Sequence, residues 1–483
     1  MKTRTLPFAL VLGLGGLSSG CSAPVPPPDS PRPSGATVVY STGGSALSAV
    51  GTDGSAPVTL ADDAAFRATT ADGWVVFVRG ETLLSVRPAD GAERILDDAP
   101  GTKWFRAVFD TNYLVYQRQH GARQSVHLVR ADGTDRLLPV PPQERALEFV
   151  AITPARRLLY QACDPVIEDG EPRCLDERLL SVGLDGSGPR RVLSGRPFLR
   201  HVTADDLLVY DRPTEQGSVV SAVTSDGRAG WDLSQPESFF AAALPNGRIV
   251  YNRREYGQLD LYSVATDATD ARALATSDED EFYAGAVPGD RVLFLRGGPD
   301  RRRLYIVDEA TGNDLRALQD AGDSIVRAVQ PDGTIVFSTR FDTGDQAQDN
   351  LYSIRPDGTG MHALADSSDM EWFEGVAADG RVVYMRCIAA AFGPCGHPSA
   401  QSDLYSVRQD ATGLAALAVS GDFEVARAIT RGNVVVYGRR AGEQWDLYGV
   451  ATTGGAARPL ATTGSDERFL DLIEPAAAAE NPG

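Results

Sequence analysis

Short runs of apolar residues, separated by tight-turn residues, recur along almost the whole chain. In one such unit, residues 325–329, 335–339, 351–354 and 361–364 are rich in β-branched, aromatic and aliphatic side chains. A Pro-Asp-Gly sequence at 331–333 separates the first run from the second, and another at 356–358 separates the third from the fourth. This composition is typical of hairpin turns. The pattern predicts units of four antiparallel strands and no long amphipathic helix.

One strand of the unit recurs at a regular spacing and ends in valine or isoleucine. Its clearest copies are the Leu-Tyr sequences that run into Val264, Ile354, Val407 and Val450. Weaker copies end at Val50, Val86, Val129, Val182, Val223 and Val307. The mean spacing is about 44 residues, the length of a four-stranded propeller blade. The sequence therefore predicts an all-β fold, a β-propeller of about ten four-stranded blades over residues 36–473.

These copies resemble the TolB-type repeat, a WD40-like propeller repeat in which a Leu-Tyr-x-Val strand is followed by Asp-Gly. The resemblance extends over residues 36–473 and implies a propeller fold. It does not specify a function, because propellers support many unrelated activities.

Ten blades could form one ring or two rings of five. The segment 37–40 matches the second strand of a blade, and 468–473 matches an innermost strand that would complete the first blade and close a circle. No linker interrupts the middle of the chain, although domain boundaries usually fall in linkers. We therefore favour a single ring. The two cysteine pairs lie five repeats apart, which keeps two five-bladed rings as the alternative.

The N-terminus has the composition of an export signal. Lys2 and Arg4 precede an apolar stretch too short to span a bilayer, which is typical of a secretory signal peptide over residues 1–20. The sequence Leu17-Ser18-Ser19-Gly20-Cys21 resembles a bacterial lipobox, and this resemblance implies lipidation of Cys21. The alternative is an ordinary signal peptide followed by an incidental cysteine. Residues 21–35 form a Pro-rich tether and residues 474–483 a loose tail. We expect a lipid-anchored protein of the cell envelope, at the outer membrane, facing the periplasm or the cell surface.

The other four cysteines form two close pairs. Cys163 and Cys174 are one pair, and Cys387 and Cys395 are the other. In an oxidising compartment such pairs usually become disulfides. Zinc sites favour shorter spacings with histidine help, so two local disulfides are the expectation.

Acidic residues dominate the charge, with a formal net charge of −19. That balance argues against a nucleic acid partner, which needs clustered cations. Several carboxylates precede the predicted innermost strands, and we expect them at one mouth of the channel as a rim for a cation or a basic partner. The rim residues are Asp63, Asp278, Asp280, Asp369, Asp422 and Asp466. The alternative is an ordinary solvated surface. We expect no cofactor other than weakly bound calcium.

Aromatic residues recur just after the loops between blades. Because repetition at the blade period is typical of packing between blades, we expect core positions for them rather than a sugar platform. They are Phe66, Trp104, Phe282, Trp372 and Phe469.

No catalytic motif stands out in the repeats. The five histidines show no metal-ligand spacing, and no phosphate-binding loop occurs. The Gly-x-Ser-x-Gly sequence at 16–20 lies within the predicted signal peptide and not in the propeller repeats. We expect a non-enzymatic envelope lipoprotein that uses a propeller face as a scaffold for a protein partner. The alternatives are a propeller that binds carbohydrate or cell wall, and a hydrolase or lyase with carboxylates in its channel.

Overall fold

The computed structural model describes residues 35–475 apart from short internal stretches, which are 111, 122, 138–145, 169–170, 196–197, 299–300, 313–314, 320–321, 343–346 and 389–400. Within these bounds the chain contains forty β-strands and no helix. Consequently, no helix of the described part is long and apolar enough to cross a membrane.

The strands form antiparallel groups of four, numbered here as blades 1 to 10. Blade 1 combines both ends of the described chain: β40 (Glu467–Ile473), β1 (Thr37–Thr42), β2 (Ala46–Gly51) and β3 (Val58–Ala61). Blade 2 contains β4 (Ala65–Thr69), β5 (Val75–Arg79), β6 (Thr82–Arg87) and β7 (Ala92–Asp97). Blade 3 contains β8 (Thr102–Phe109), β9 (Tyr113–His120), β10 (Arg123–Arg130) and β11 (Arg136–Leu137). Blade 4 contains β12 (Ala146–Ile152), β13 (Arg157–Glu168), β14 (Glu171–Gly183) and β15 (Arg190–Ser194).

The remaining blades repeat this order. Blade 5 contains β16 (Phe198–Val202), β17 (Leu207–Thr214), β18 (Gly217–Thr224) and β19 (Gly230–Asp232). Blade 6 contains β20 (Ser238–Ala243), β21 (Ile249–Glu255), β22 (Gln258–Val264) and β23 (Arg272–Ala275). Blade 7 contains β24 (Glu281–Val287), β25 (Arg291–Arg296), β26 (Arg303–Asp308) and β27 (Arg316–Gln319).

Blades 8 to 10 complete the series. Blade 8 contains β28 (Asp323–Val329), β29 (Ile335–Asp342), β30 (Ala347–Ile354) and β31 (His362–Ala365). Blade 9 contains β32 (Met370–Val376), β33 (Val382–Ile388), β34 (Gln401–Val407) and β35 (Ala415–Ala418). Blade 10 contains β36 (Phe423–Ile429), β37 (Val434–Ala441), β38 (Gln444–Ala451) and β39 (Arg458–Ala461). A single parallel pair, Ser402 with Phe423, joins blades 9 and 10 into one eight-stranded sheet.

The local sequence explains these elements. Every anchor of the repeat lies in the third strand of a blade, where β-branched and aromatic residues favour the pleated, half-buried surface. Turns between strands contain glycine at positions that require left-handed backbone, for example Gly333 with φ 87° and Gly358 with φ 79°. The prediction of an all-β propeller fold made of four-stranded antiparallel blades is confirmed.

The hydrophobic core is divided among the joints between blades. Each described apolar cluster combines side chains of two consecutive blades, as Val115 of blade 3 packs with Leu158 and Tyr160 of blade 4. One cluster joins blade 10 to blade 1 through Val436 and Val38. The contacts between blades therefore return to their starting point.

The two ends of the described chain meet in blade 1. Strand β40 pairs antiparallel with β1, with Thr37 opposite Ile473 and Thr42 opposite Glu467. This is the pairing that the sequence predicts for residues 468–473. It places the last strand innermost in the first blade.

Candidate functional site

The innermost strands surround the central channel. The first strands of neighbouring blades contact one another, as β4 does with β40, β24 with β28, and β28 with β32. Each first strand is the edge strand of its blade, and only the pair of Ser402 and Phe423 adds a ladder contact beyond the blade in the described part of the chain. The channel wall therefore consists of edge strands.

All ten first strands contain a β-bulge at the same register position. The strand has one more residue there than its partner, and such bulges re-aim a side chain and occur next to binding sites. The bulge residues are Arg67, Arg106, Val150, Arg200, Ala241, Ala284, Arg327, Glu374, Arg427 and Leu470. Five arginines thus occupy one level of the channel wall.

Three of these arginines bind neutral groups. Arg106 Nε donates to the side-chain oxygen of Gln117, and Arg327 Nε donates to Ser338 Oγ over 2.9 Å. Arg67 donates to the carbonyl oxygen of Phe66 over 3.1 Å. The positive charge of these guanidinium groups is not cancelled by these contacts.

The other two arginines have acidic neighbours. Arg200 Nε lies 2.7 Å from Asp211 Oδ2. Arg427 lies over the ring of Trp445, 4.9 Å from its centroid, and interacts with the charge of Glu374. Burial raises the pKa of Glu374 to about 7, although the charge of Arg427 lowers it in part. The acidic bulge residue therefore carries only part of a negative charge near neutral pH.

Aromatic side chains lie two residues before the bulge on several first strands. Those of Trp104, Phe198, Phe239 and Trp372 are exposed. The sequence predicts core packing for the recurrent aromatic residues. In the structure some of them are packed and others are exposed. Phe66, Phe282 and Phe469 pack against clusters between blades. Trp104 and Trp372 instead remain 37% and 43% exposed, so core packing is wrong for these two.

The predicted acidic rim residues lie at the start of the first strands. Those with a described contact each have a different partner. Asp280 Oδ1 accepts the amide of Leu259 over 2.9 Å, and the carbonyl of Asp278 accepts from Gln258. Asp369 and Asp422 lie 3.6 and 3.7 Å from Arg386 and Arg439. Asp466 lies 2.8 Å from Arg468, and Asp63 has left-handed backbone with φ 47°.

The structure does not gather these aspartates into one site. In the part of the chain that it describes, no group of three or more His, Cys, Asp or Glu side chains could hold a metal ion. Calcium binding at the rim stays a prediction.

Sequence reasoning missed a row of buried glutamates behind the rim. Glu281, Glu371, Glu424 and Glu467 hold the position three residues before the bulge and are at most 2% exposed. Each is held by the serine or threonine four residues earlier, as Ser277 Oγ donates to Glu281 Oε1 over 2.5 Å. The signal in the sequence is a recurrent Ser/Thr-x-x-x-Glu.

Burial dominates the titration of three of these carboxyl groups. It raises the pKa of Glu281, Glu371 and Glu424 to about 7, although hydrogen bonds from Ser277, Ser367 and Ser420 lower it in part. Shifts of this kind mark functional sites and structural networks alike.

The structure describes the side chains of two of the four paired cysteines. Cys163 and Cys387 are disulfide-bonded. Strands β13 and β14 extend the insertion after Cys163 as a long hairpin, with Pro165 opposite Cys174. The side chain of Cys174 and the whole of Cys395 lie outside the described residues, so the two pairings stay predictions.

Residues 1–34, with the predicted signal peptide and Cys21, also lie outside the described residues. Lipidation and location in the envelope therefore stay predictions.

In the described part of the chain, one serine side chain lies within hydrogen-bond distance of a histidine, a combination that catalytic sites can use. Ser125 Oγ lies 2.7 Å from His127 Nε2 on the third strand of blade 3. His127 is buried and stacks on Tyr116, with ring centroids 5.0 Å apart. This pair lies within the packed sheet rather than on the channel wall.

No protein-family model matches the chain, and no curated protein matches it. Among solved structures, Porphyromonas gingivalis dipeptidyl peptidase 4 is similar over 74% of this chain and 65% of that chain, with 10% identity and a TM-score of 0.47. The S511A mutant of puromycin hydrolase is similar over 77% and 61%, with 16% identity and a TM-score of 0.33. TolB from Acinetobacter baumannii is similar over 65% and 82%, with 13% identity and a TM-score of 0.29.

These comparisons correct one expectation. The similar structures include a dipeptidyl peptidase, a puromycin hydrolase and prolyl endopeptidases, and this finding contradicts the predicted role as a non-enzymatic envelope scaffold. The chain spans less than two thirds of the length of the first three similar structures. At such low identity the similarity concerns the fold and assigns no activity to this chain.

Proposed function

We propose that the chain binds extended peptides with acidic side chains in its central channel. The observation that carries the proposal is the set of five arginines at one bulge position of the channel wall, Arg67, Arg106, Arg200, Arg327 and Arg427. The guanidinium group presents a rigid fork of donors that matches a carboxylate.

The charge at the bulge positions of the channel wall differs from that of the whole molecule. The chain has a formal net charge of −19, yet the ten bulge positions contain five arginines and one glutamate, Glu374. Because Arg67, Arg106 and Arg327 bind only neutral groups in the contacts described above, they can exchange those contacts for a carboxylate. Arginines inside an acidic protein favour an anionic ligand in the channel over a cationic one.

The backbone of the wall favours an extended peptide over a small anion. Edge strands present unpaired N–H and C=O groups that can pair with an added strand. The exposed rings of Trp104 and Phe198 lie two residues before Arg106 and Arg200 on the same strands and offer apolar contact there. Phe239 and Trp372 are exposed on the first strands of blades 6 and 9. The proposal concerns binding and assigns no catalytic step to this chain.

Calorimetric titration tests the proposal with three peptides of equal length, in which glutamate alternates with alanine or is replaced by glutamine or lysine. We expect binding of the glutamate peptide alone. The R106Q and R327Q variants should each weaken it about tenfold, because a hydrogen bond to a charged group contributes about 1.5–3 kcal/mol. R94Q is the control, since Arg94 also donates to a neutral group, the backbone carbonyl of Glu93, but lies on outer strand β7.

Unchanged affinity in both channel variants would overturn the proposal, as would equal binding of the glutamine peptide. A loss that R94Q shares would assign the effect to net charge rather than to the channel, and would also contradict it.

A further inference from the structure

The joints between blades contain carboxyl groups that the channel proposal does not use. Glu281, Glu371 and Glu424 begin the first strands of blades 7, 9 and 10. Each of these strands packs against the third strand of the preceding blade, in the contacts of β24 with β22, β32 with β30 and β36 with β34. The glutamates therefore lie where one blade meets the next.

One oxygen of each carboxyl group is well partnered. Glu281 Oε1 accepts from Ser277 Oγ and from Arg296 Nε, which lies 3.0 Å away. Glu371 Oε1 accepts from the amide of Ser367 over 3.1 Å and from its hydroxyl. Glu424 Oε1 accepts from Ser420 Oγ. These contacts fix the orientation of each carboxyl group.

The second oxygen of each carboxyl group is buried and has no hydrogen-bond partner. This applies to Oε2 of Glu281, Glu371 and Glu424. The preceding blade adds further acceptors without partners, Oδ1 of Asp260, Asn350 and Asp403, on β22, β30 and β34. An acceptor cannot satisfy another acceptor, and a buried unsatisfied oxygen costs about 1–3 kcal/mol. These oxygens lack a donor, although Nε of Arg386 and Nε of Arg439, buried near Glu371 and Glu424, are themselves without a hydrogen-bond partner.

The charged neighbours of these carboxyl groups do not supply that donor in the observed contacts. Arg296 binds Oε1 of Glu281, while Arg386 and Arg439 lie beside Asp369 and Asp422 and over the rings of Tyr405 and Tyr448. The remaining facing groups are acidic or phenolic. They are Asp260, Tyr262, Asp369, Tyr384, Asp403, Asp422 and Tyr437.

We propose that each of these three joints binds one proton in the folded protein near neutral pH, with the protonated glutamate donating a hydrogen bond across the joint to the preceding blade. Protonation turns the unpartnered Oε2 into a hydroxyl donor and removes a buried charge. The propeller thereby contains proton-binding sites that hold neighbouring blades together.

The direction of the pH dependence follows from the titration of the same groups. Burial is the largest influence and raises the pKa of Glu281, Glu371 and Glu424 to about 7, whereas an unfolded glutamate titrates at about 4.3. The folded state therefore binds these protons more tightly. The stabilisation is complete below about pH 4 and is lost as the pH rises through about 7.

Thermal unfolding of the full chain between about pH 5 and pH 8.5 tests the proposal. We expect the Tm of the wild type to fall across this range. In the E281Q/E371Q/E424Q variant the amide supplies a donor at every pH, so most of that fall should disappear, with a Tm above that of the wild type at the alkaline end. E279Q is the control, because Glu279 is partly exposed and pairs with Arg303. A triple variant that keeps the full wild-type fall would overturn the proposal.

Infrared spectroscopy provides a second readout that needs no stable variant. In wild-type protein with isotope-labelled glutamate, we expect near pH 6 the carbonyl stretch of more than one protonated carboxyl group, since Glu374 accounts for one at most, and its loss in mild alkali. A spectrum with ionised carboxylates alone near pH 6 would overturn the proposal.

Discussion

One position of the fold contains a buried lysine in blade 3 and a buried glutamate in blade 9. Lys103 and Glu371 both lie three residues before the bulge of a first strand, and both are almost fully buried. Lys103 Nζ donates to the carbonyl oxygens of Glu81, Ala99 and Gly101. Its three donors therefore have three acceptors, whereas Glu371 leaves one oxygen without a partner.

The loop before the strand explains the difference. Before Lys103 the loop turns two of its carbonyls, those of Ala99 and Gly101, towards the joint. Before Glu371 the loop turns the amide and hydroxyl of Ser367 towards the joint instead. Burial lowers the pKa of Lys103, with partial compensation by Asp97, and raises the pKa of Glu371. The local loop, rather than the propeller scaffold, decides which charge the joint accepts.

Replacing Lys103 by glutamate should have the largest effect on stability. In K103E a carboxylate would face three carbonyl oxygens without a donor, and an uncompensated buried charge costs about 3–5 kcal/mol. K103M should cost less, about 1–3 kcal/mol, because it leaves unpaired carbonyls but no charge. Urea unfolding measures both. A K103E protein as stable as the wild type at neutral pH would contradict the account.

Removing a carboxyl group from a glutamate joint should have an intermediate effect. E424A leaves the hydroxyl of Ser420 without its acceptor and opens a cavity, so we expect a loss of about 1–3 kcal/mol in the free energy of unfolding near pH 6. D422N is the control two residues away, where the pair with Arg439 is partly exposed at 3.7 Å. It should change stability by less than about 1 kcal/mol. Equal losses in both variants would show that burial at the joint is not the cause.

Much of the fold can be predicted from the sequence, because strand and turn composition act locally. The Leu-Tyr sequences lie in third strands, and residues 468–473 pair with β1, as expected. The five bulge arginines could not be predicted, because a bulge inserts one residue without altering the composition of the strand. Arg106 and Arg327 therefore look like ordinary polar positions in the sequence. The buried glutamates were missed because charge predicts exposure, and only the tertiary contact with the preceding blade buries Glu281 and Glu424.

Both the channel and the equivalence of the joints depend on closure of the chain into one ring. Ser41 and Arg468 are direct partners across β1 and β40, so an S41C/R468C variant tests closure by disulfide formation. Under mild oxidation we expect a monomer in which peptide mapping links positions 41 and 468. Its free energy of unfolding should rise by up to about 5 kcal/mol, because the cross-link constrains almost the whole unfolded chain. Links between molecules only, or thiols that stay free at both positions, would contradict the closed ring.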